Sequence, residues 1–447
     1  MTIYNKFSKR KLCLGTVFVI IMLTTFIAAG IIPNNAYLTG KSDSFTQGGV
    51  LSYQYGGTGT DIAYSIVASA DGGYALAGST ESYGNGQEDV YLVKLDTAGR
   101  MEWNKTYGGV SNEITYSIIT TTDGGYALAG YTYSYGTGFQ SMWLIKTNAT
   151  GHVEWTQTYG GDGWEKAHSV LATTDGGYIL AGSTKPVVSS SKRTMWLVKV
   201  DTVGKMEWNQ TFGGEDESTA YDIITTTDGG YALAGSTGSA YNGTLDMILV
   251  KTNATGQLEW SRTYGGEQND ETRSLIATTD GGYALTGYTT DPSNDNLEDM
   301  WLVKTNASGH AEWNRTYGGQ GIDRVNSIIA TTDDGYALIG TAQLYPIYYQ
   351  DMCLVKTNIT GHMEWNQTFG GIEDDEAYSG LITNDGGIIL AGVYDSNSLI
   401  DSAEVWFIKT NVQEHYKYVI STPGFEILTV FCALLTVIVV YTKRKKK

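Results

Sequence analysis

Between residues 50 and 411 apolar and polar positions alternate in short runs, and the runs return on a fixed period. The string Asp-Gly-Gly-Tyr-Ala-Leu-Ala-Gly recurs, with small changes, from Asp71, Asp123, Asp175, Asp228, Asp280, Asp333 and Asp385, at intervals of 52 or 53 residues. A period of that length marks an array, a solenoid or a propeller. The second copy predicts four extended runs, Thr115 to Thr121, Tyr126 to Ser134, Met142 to Thr147 and Val153 to Thr158. They are rich in the β-branched and aromatic residues that pack well on a pleated surface. Asp-Gly between the first two predicts a type I′ hairpin, with positive φ at both central residues. Thr-Asn-Ala-Thr-Gly between the last two is a second hairpin loop. Four antiparallel strands per repeat is a propeller blade.

The strand count closes the ring. The first three runs occur seven times. The fourth, Glu-Trp-Asn-x-Thr-Tyr-Gly-Gly, occurs six times, starting at Glu102, Glu154, Glu207, Glu259, Glu312 and Glu364, with Phe212 and Phe369 in place of Tyr. The seventh fourth strand lies at the other end, as Val50-Leu51-Ser52-Tyr53-Gln54-Tyr55-Gly56-Gly57. Pairing it with the run Glu404 to Thr410 removes the unpaired edge of an open array. The expectation is an all-β, seven-bladed β-propeller flanked by two hydrophobic terminal helices. Its parts are a signal peptide or N-terminal membrane helix over 1–41, the propeller over 42–411, a short linker over 412–426, and a membrane anchor or sorting tail over 427–447.

Charge narrows the partners. The net charge is −18, and nine cations sit at the two ends, at Lys6, Lys9, Arg10, Lys11 and Lys443 to Lys447. The acidic middle makes nucleic acid an unsuitable partner, because phosphate binding needs the opposite sign. Leu12 to Ile32 carries no charge and follows a basic cluster, as a signal or first membrane helix does. Ile427 to Tyr441 is apolar and precedes a basic tail. Both termini are therefore expected at the membrane, with the middle outside the cell. Cys13, Cys353 and Cys432 have no spacing for a disulfide framework or a metal site.

Two resemblances follow from these motifs. Thr422-Pro423-Gly424-Phe425, then the apolar run and the basic tail, resembles the PGF-type C-terminal sorting signals of archaeal surface proteins. In that family the tail is removed and a lipid can replace it. Glu426 directly after the Phe, and the lack of a Thr-rich spacer, depart from the pattern. The repeats resemble those of seven-bladed propellers of prokaryotic surface proteins, quinoprotein-like or kelch-like. The run from Asp201 to Trp208 is similar to a tryptophan-docking repeat. The adjacent cysteine pair of the quinoprotein cofactor site is absent, so the resemblance implies fold and not activity.

Ten of the eleven Trp fall on two repeat positions, as core residues would, and Trp164 alone stands in a loop as a candidate exposed contact. A Lys ends every third strand, and hairpin counting places Lys146 opposite Glu154, a cross-strand ion pair worth ~0.2–1 kcal/mol. Lys409 lacks that partner. The loop after each Tyr-Gly-Gly carries an acid, namely Asp61, Glu113, Glu165, Asp270, Asp323 or Asp375, with Ser218 breaking the series and Asp222 replacing the following Ser. Such a ring at the channel mouth is either a site for a cation such as Ca²⁺ or a basic partner, or a set of turn caps. No other cofactor is expected. Sequons for glycan attachment cluster in the turns at Asn148, Asn253, Asn306 and Asn358, with Asn242 on the opposite face. No hydrolase elbow, zinc-protease motif or phosphate loop is present. The reading is a surface-anchored binding module for adhesion or the cell envelope, contacting a surface protein or polysaccharide through outward acidic loops. The alternative is an extracellular polysaccharide hydrolase or lyase using carboxylates at the mouth. Tyr345, Tyr348 and Tyr349 suit carbohydrate stacking or loop packing.

Overall fold

The computed structural model describes residues 45–47 and 50–410, except 188–191, 214–215, 239–243, 292–296, 344–348 and 398–401. Both terminal apolar segments, Asn242, Tyr345 and Tyr348 lie outside the described residues. Among the described residues no helix is long and apolar enough to cross a membrane.

The described chain is all strand and turn, folded as a seven-bladed propeller. β1 (Phe45–Gln47) and β2 (Val50–Tyr55) precede the first blade, which is β3 (Asp61–Ala68), β4 (Tyr74–Thr80), β5 (Asp89–Leu95) and β6 (Met101–Tyr107). β7 to β26, from Glu113 to Phe369, repeat that order in five more blades. The last is β27 (Asp375–Ile382), β28 (Ile388–Asn397) and β29 (Ser402–Thr410), completed by β2 in the fourth-strand position. β2 runs antiparallel to β29 from Leu51↔Lys409 to Tyr55↔Val405, and the Trp406 indole donates to Ser52 Oγ at 2.7 Å across the seam. β1 adds an outer fifth strand to this blade, which the repeat did not foretell.

Hydrophobic burial lies between blades. Ala127, Ala129, Met142 and Leu144 of the second blade pack against Ala167, Val170, Leu180 and Trp196 of the third, and six further clusters repeat the arrangement. Each fully buried Leu contributes ~1.5–3 kcal/mol, and much of that is lost if a neighbouring blade is removed. The fourth-strand Trp and Tyr reach across the same junction. A Cβ on Gly151 would clash with the Trp103 ring, and Tyr107 Oη donates to Gly151 O at 2.6 Å.

The hairpin after each first strand differs from the expected type I′ turn. Gly72 N donates to Ser69 O at 3.0 Å and Ser69 N to Gly73 O at 2.8 Å, and only Gly72 in the loop has positive φ. This is a three-residue loop, a type I turn closed by one left-handed residue. The second Gly has another task. A Cβ on Gly73 would fall on Leu95 O and Lys94 Nζ, so the missing side chain makes room for the ammonium.

The Lys ladder is richer than hairpin counting suggested. Lys146 faces Trp155, with Glu154 extruded as a bulge, yet Lys146 Nζ reaches Glu154 and Asp123 at 2.7 Å each and also Thr147 O at 2.8 Å. Six blades share this arrangement, with Lys 4–5% exposed between two half-exposed acids. Among the described residues Lys409 pairs with Asp385 alone, at 3.5 Å. The Lys251 ammonium and Thr226 hydroxyl hold the Asp228 carboxyl well below the usual carboxylate range.

Candidate functional site

Propeller geometry puts the loops between blades and the loops between second and third strands on one face. The Asp-Gly-Gly hairpins and the turns between third and fourth strands occupy the other. Val50 and Thr410 both lie at that second face, since Leu51 pairs with Lys409.

The six loop acids do not point outward. Asp61, Glu113, Glu165, Asp270, Asp323 and Asp375 are at most 4% exposed. Each carboxylate turns back under its own loop. Asp61 accepts from Gly57 N at 2.8 Å and Ser82 Oγ at 2.6 Å. Glu113 accepts from Gly109 N at 2.6 Å and Thr132 Oγ1 at 2.9 Å. Glu165 accepts from Thr184 Oγ1 at 3.1 Å. Asp270, Asp323 and Asp375 accept from Gly266, Gly319 and Gly371 amides at 3.1, 2.9 and 3.0 Å. Of the two readings the sequence left open for these residues, the hydrogen bonds are those of turn caps. The acids sit on the alternate of each first strand that faces the neighbouring blade.

A second acid meets most of them from the preceding blade, and sequence reasoning passed over it. A Cβ on Gly108 would run into both Asp89 and Glu113. Gly265, Gly318 and Gly370 report the same for Asp246/Asp270, Asp299/Asp323 and Asp351/Asp375. Glu404 and Asp61 are neighbours at the closing seam. Burial, then the Asp299 charge, pushes Asp323 up to about 6 despite its two amide donors. Burial pushes Asp375 up to about 8, with Asp351 adding to it. Asp351 Oδ1 has no partner among the described residues. No group of three or more His, Cys, Asp or Glu able to hold a metal occurs among the described residues. The signal was an acid opening most third strands, at Asp89, Asp246, Asp299, Asp351 and Glu404.

The chemistry that varies from blade to blade lies instead along the channel axis. Each first strand carries a bulge at the same repeat position, as between Ala63 and Ser65. The Gly opposite makes it sterically feasible, because a Cβ on Gly78 would strike Ile62 O. The bulge aims Tyr64 and its equivalents inward, where residues from successive blades touch around the ring. Tyr64 meets Tyr116 and Tyr378 at 5.2 and 4.9 Å, Tyr116 meets His168 at 4.9 Å, and His168 meets Tyr221 at 5.0 Å. The Arg273 guanidinium lies 4.9 Å from the Tyr221 centroid, and Asn326 donates to Ala377 O at 2.8 Å. Two residues closer to the mouth stand Ile62, Ile114, Lys166, Thr219, Glu271, Arg324 and Glu376.

This mouth is polarised. Glu271 pairs with Arg273 at 2.5 Å, and Glu298 with Arg324. Lys166 has no acceptor within bonding distance among the described residues. Burial, then Arg193 and Arg273, lowers its pKa to about 8. Arg193 Nη1 donates to Ser183 Oγ at 3.1 Å, and Ser183 is the cross-strand partner of Lys166. Burial, then Lys166, keeps His168 neutral, its pKa well below the ordinary value. Trp164 stacks on Phe139 at 5.0 Å with 9° between planes, and Phe139 is 58% exposed. Tyr349 is 42% exposed in its own loop.

The turn sequons have a structural use. Asn148 Oδ1 accepts from the amides of Thr150 and His152, both at 3.0 Å, and Asn253, Asn306 and Asn358 do the same in their blades. Asp96 and Asp201 cap the equivalent turns with the same geometry. An Asx-capped turn therefore accounts for the Asn.

No family model matches the chain. Regulatory protein FlaEY of Caulobacter vibrioides is similar, 26% identical over 244 residues, which is 48% of this chain and 25% of that protein. The chain thus spans about a quarter of that relative's length. Among solved structures, Sqt1 of Chaetomium thermophilum aligns with a TM-score of 0.46 and 11% identity, over 79% of this chain and 82% of that one. The Pan2 WD40 domain of Neurospora crassa aligns at 0.45 and 10%, over 83% and 97%. A protein of unknown function from Dyadobacter fermentans aligns at 0.46 and 9%, over 81% and 98%.

Proposed function

We propose that this protein is a binding module displayed at the cell surface, with its ligand met at the channel mouth. One observation carries the reading. The repeat copies its core, its turns and its Lys ladder from blade to blade, but the two mouth positions read Ile, Ile, Lys, Thr, Glu, Arg, Glu and Tyr, Tyr, His, Tyr, Arg, Asn, Tyr. Side chains that only fill space between identical blades have no cause to diverge in charge and size. Those that face a ligand do, because recognition is carried by a few placed polar groups on a rigid scaffold. Display is supported by the two apolar segments flanked by basic clusters, and by the resemblance to sorted surface propellers. The mouth lies on the face opposite Val50 and Thr410, which suits a platform tethered at its ends. The test is protease treatment of intact cells carrying the tagged full chain. Digestion of the propeller without lysis supports display. Full protection until lysis refutes it.

A further inference from the structure

The strongest unassigned chemistry lies where the mouth meets the second and third blades. Phe139 stacks on the half-buried Trp164, and the outer face of the exposed Phe139 ring is backed by the indole. The backbone fixes both rings, since Phe139 N and Gln140 N donate to Gly163 O at 3.1 and 3.2 Å, and Glu165 N donates to Gln140 O at 2.9 Å. The other blades do not repeat this pair. The Trp164 position holds Thr60, Asn112, Glu217, Asn269, Ile322 and Asp374 elsewhere. Lys166 follows two residues later on the same side of the strand, about 7 Å along it. The Lys that closes each third strand is matched to a carboxylate, whereas Lys166, near the start of its strand, bonds none among the described residues, feels Glu271 only at longer range and has Arg193 as its neighbour. Two cations held together in a chain of net charge −18 recruit an anion.

We propose that this corner binds an acidic sugar, a uronate residue of a polysaccharide, with its ring face on the Phe139–Trp164 pair and its carboxylate between Lys166 and Arg193. The inference rests on the binding-module reading and names its ligand class. A sugar ring presents C–H groups that lie well on an aromatic face. A carboxylate on the same ring reaches cations one strand step away. A polyphosphate would meet the same cations, but the acidic shell of a chain of net charge −18 opposes a polyanion of high charge density.

Calorimetric titration of the full chain in detergent tests this, using a hexamer of galacturonic acid and its carboxyl-reduced neutral counterpart. The acidic hexamer binds and the neutral one binds at least tenfold more weakly. Lys166→Met and Phe139→Ala each reduce affinity at least tenfold. Lys105→Met, on an outer strand, leaves it unchanged, and circular dichroism confirms that all variants fold. Equal binding of the two hexamers, or no effect of Lys166→Met, overturns the role of charge. Absence of binding to the acidic hexamer overturns the assignment altogether. Neither result bears on display, which the protease experiment decides separately.

Discussion

The carboxylate pairs between blades make the fold's stability depend on pH in an unusual direction. An Asp raised above its unfolded pKa binds more protons folded than unfolded, so it stabilises below about 4 and that contribution is lost as pH rises through the folded value. Asp323, held at about 6 by burial and Asp299, withdraws about 1.4 kcal/mol per unit between pH 4 and 6, or about 3 kcal/mol in all. At about 2 cal/mol/K per residue over roughly 360 residues, this lowers the melting temperature by about 4 °C. The Lys-bound turn acids act oppositely. Desolvation opposes them, but Lys146 and Thr121 hold Asp123 down to about 2, so its stabilisation is present above pH 4 and lost towards 2. Stability should therefore peak near pH 4 to 5 in chelated buffer. Asp351→Asn isolates the cause. It replaces the unpartnered Oδ1 group by one that can donate to Asp375. Burial, then the Asp374 charge, pushes Asp351 itself up to about 6, so removing its charge at pH 8 relieves about 3 kcal/mol, halved for solvent screening at the loop, and should raise the melting temperature by about 2 °C. At pH 4.5 it should change little. Calorimetry from pH 4 to 8 at one scan rate reads this directly. A melting temperature that is flat in the wild type, or a variant no more stable at pH 8, refutes the paired-burial argument. A rise on adding millimolar Ca²⁺ at pH 8, absent in Asp351→Asn, would mean that a cation takes the proton's place.

Three further outcomes follow from single positions. Tyr159 and Tyr264 donate to Gly204 O and Gly309 O at 2.7 Å, while Phe212 stands at the equivalent place beside the Gly256 turn, so Phe212→Tyr should stabilise by ~0.5–1.5 kcal/mol in urea unfolding, and a loss of stability would sink the proposed contact. Asp334 has φ 63° where other copies place Gly, so Asp334→Gly should gain about 0.5–1 kcal/mol, and a neutral result would show that the turn tolerates the side chain without strain. Lys146→Met should cost about 1–2 kcal/mol, because it breaks two ion pairs whose acids can rehydrate, and Lys409→Met under about 0.5; equal losses would argue against the ladder as a stabilising device.

Most of the fold was legible because each blade repeats the same pattern and errors in one copy are corrected by six others. Ring closure followed from counting a displaced fourth strand, which Leu51↔Lys409 confirms. The hairpin type was not legible, since Asp-Gly serves both a type I′ turn and a three-residue loop, and the difference is one residue of strand end at Ser69 and Gly73. The direction in which the loop acids point was not legible for a related reason. Period-two alternation says that Asp61 and Ile62 face opposite ways, but not which faces the axis. The bulge at Tyr64 shifts the phase again, and its only trace in the sequence is the Gly in each second strand. Trp164 was legible as an outlier because it breaks the repeat.

The departures from the repeat converge on one sector. Between the third and fourth blades both acids are missing, replaced by Thr194 and Ser218, with Ser218 Oγ 3.0 Å from Thr237 Oγ1. A carboxylate appears instead at Asp222, where six other blades place Ser. It accepts from Ser169 Oγ at 3.1 Å in the third blade, and from Ser274 Oγ at 3.1 Å and Leu275 N at 2.9 Å in the fifth. One carboxylate thus ties three blades together next to His168, Tyr221 and Arg273 of the channel ring. Burial raises its pKa, and these three donors, with Ile223 N at 2.8 Å as a fourth, work against that rise. Random drift among seven copies would scatter such exceptions around the ring. Here the extra fastening, the unmatched Lys166, the neutral His168 and the Phe139–Trp164 pair fall on consecutive blades. A rigid floor under a recognition surface is what lowers the ordering cost of binding, so the structural exception and the chemical ones have a common explanation.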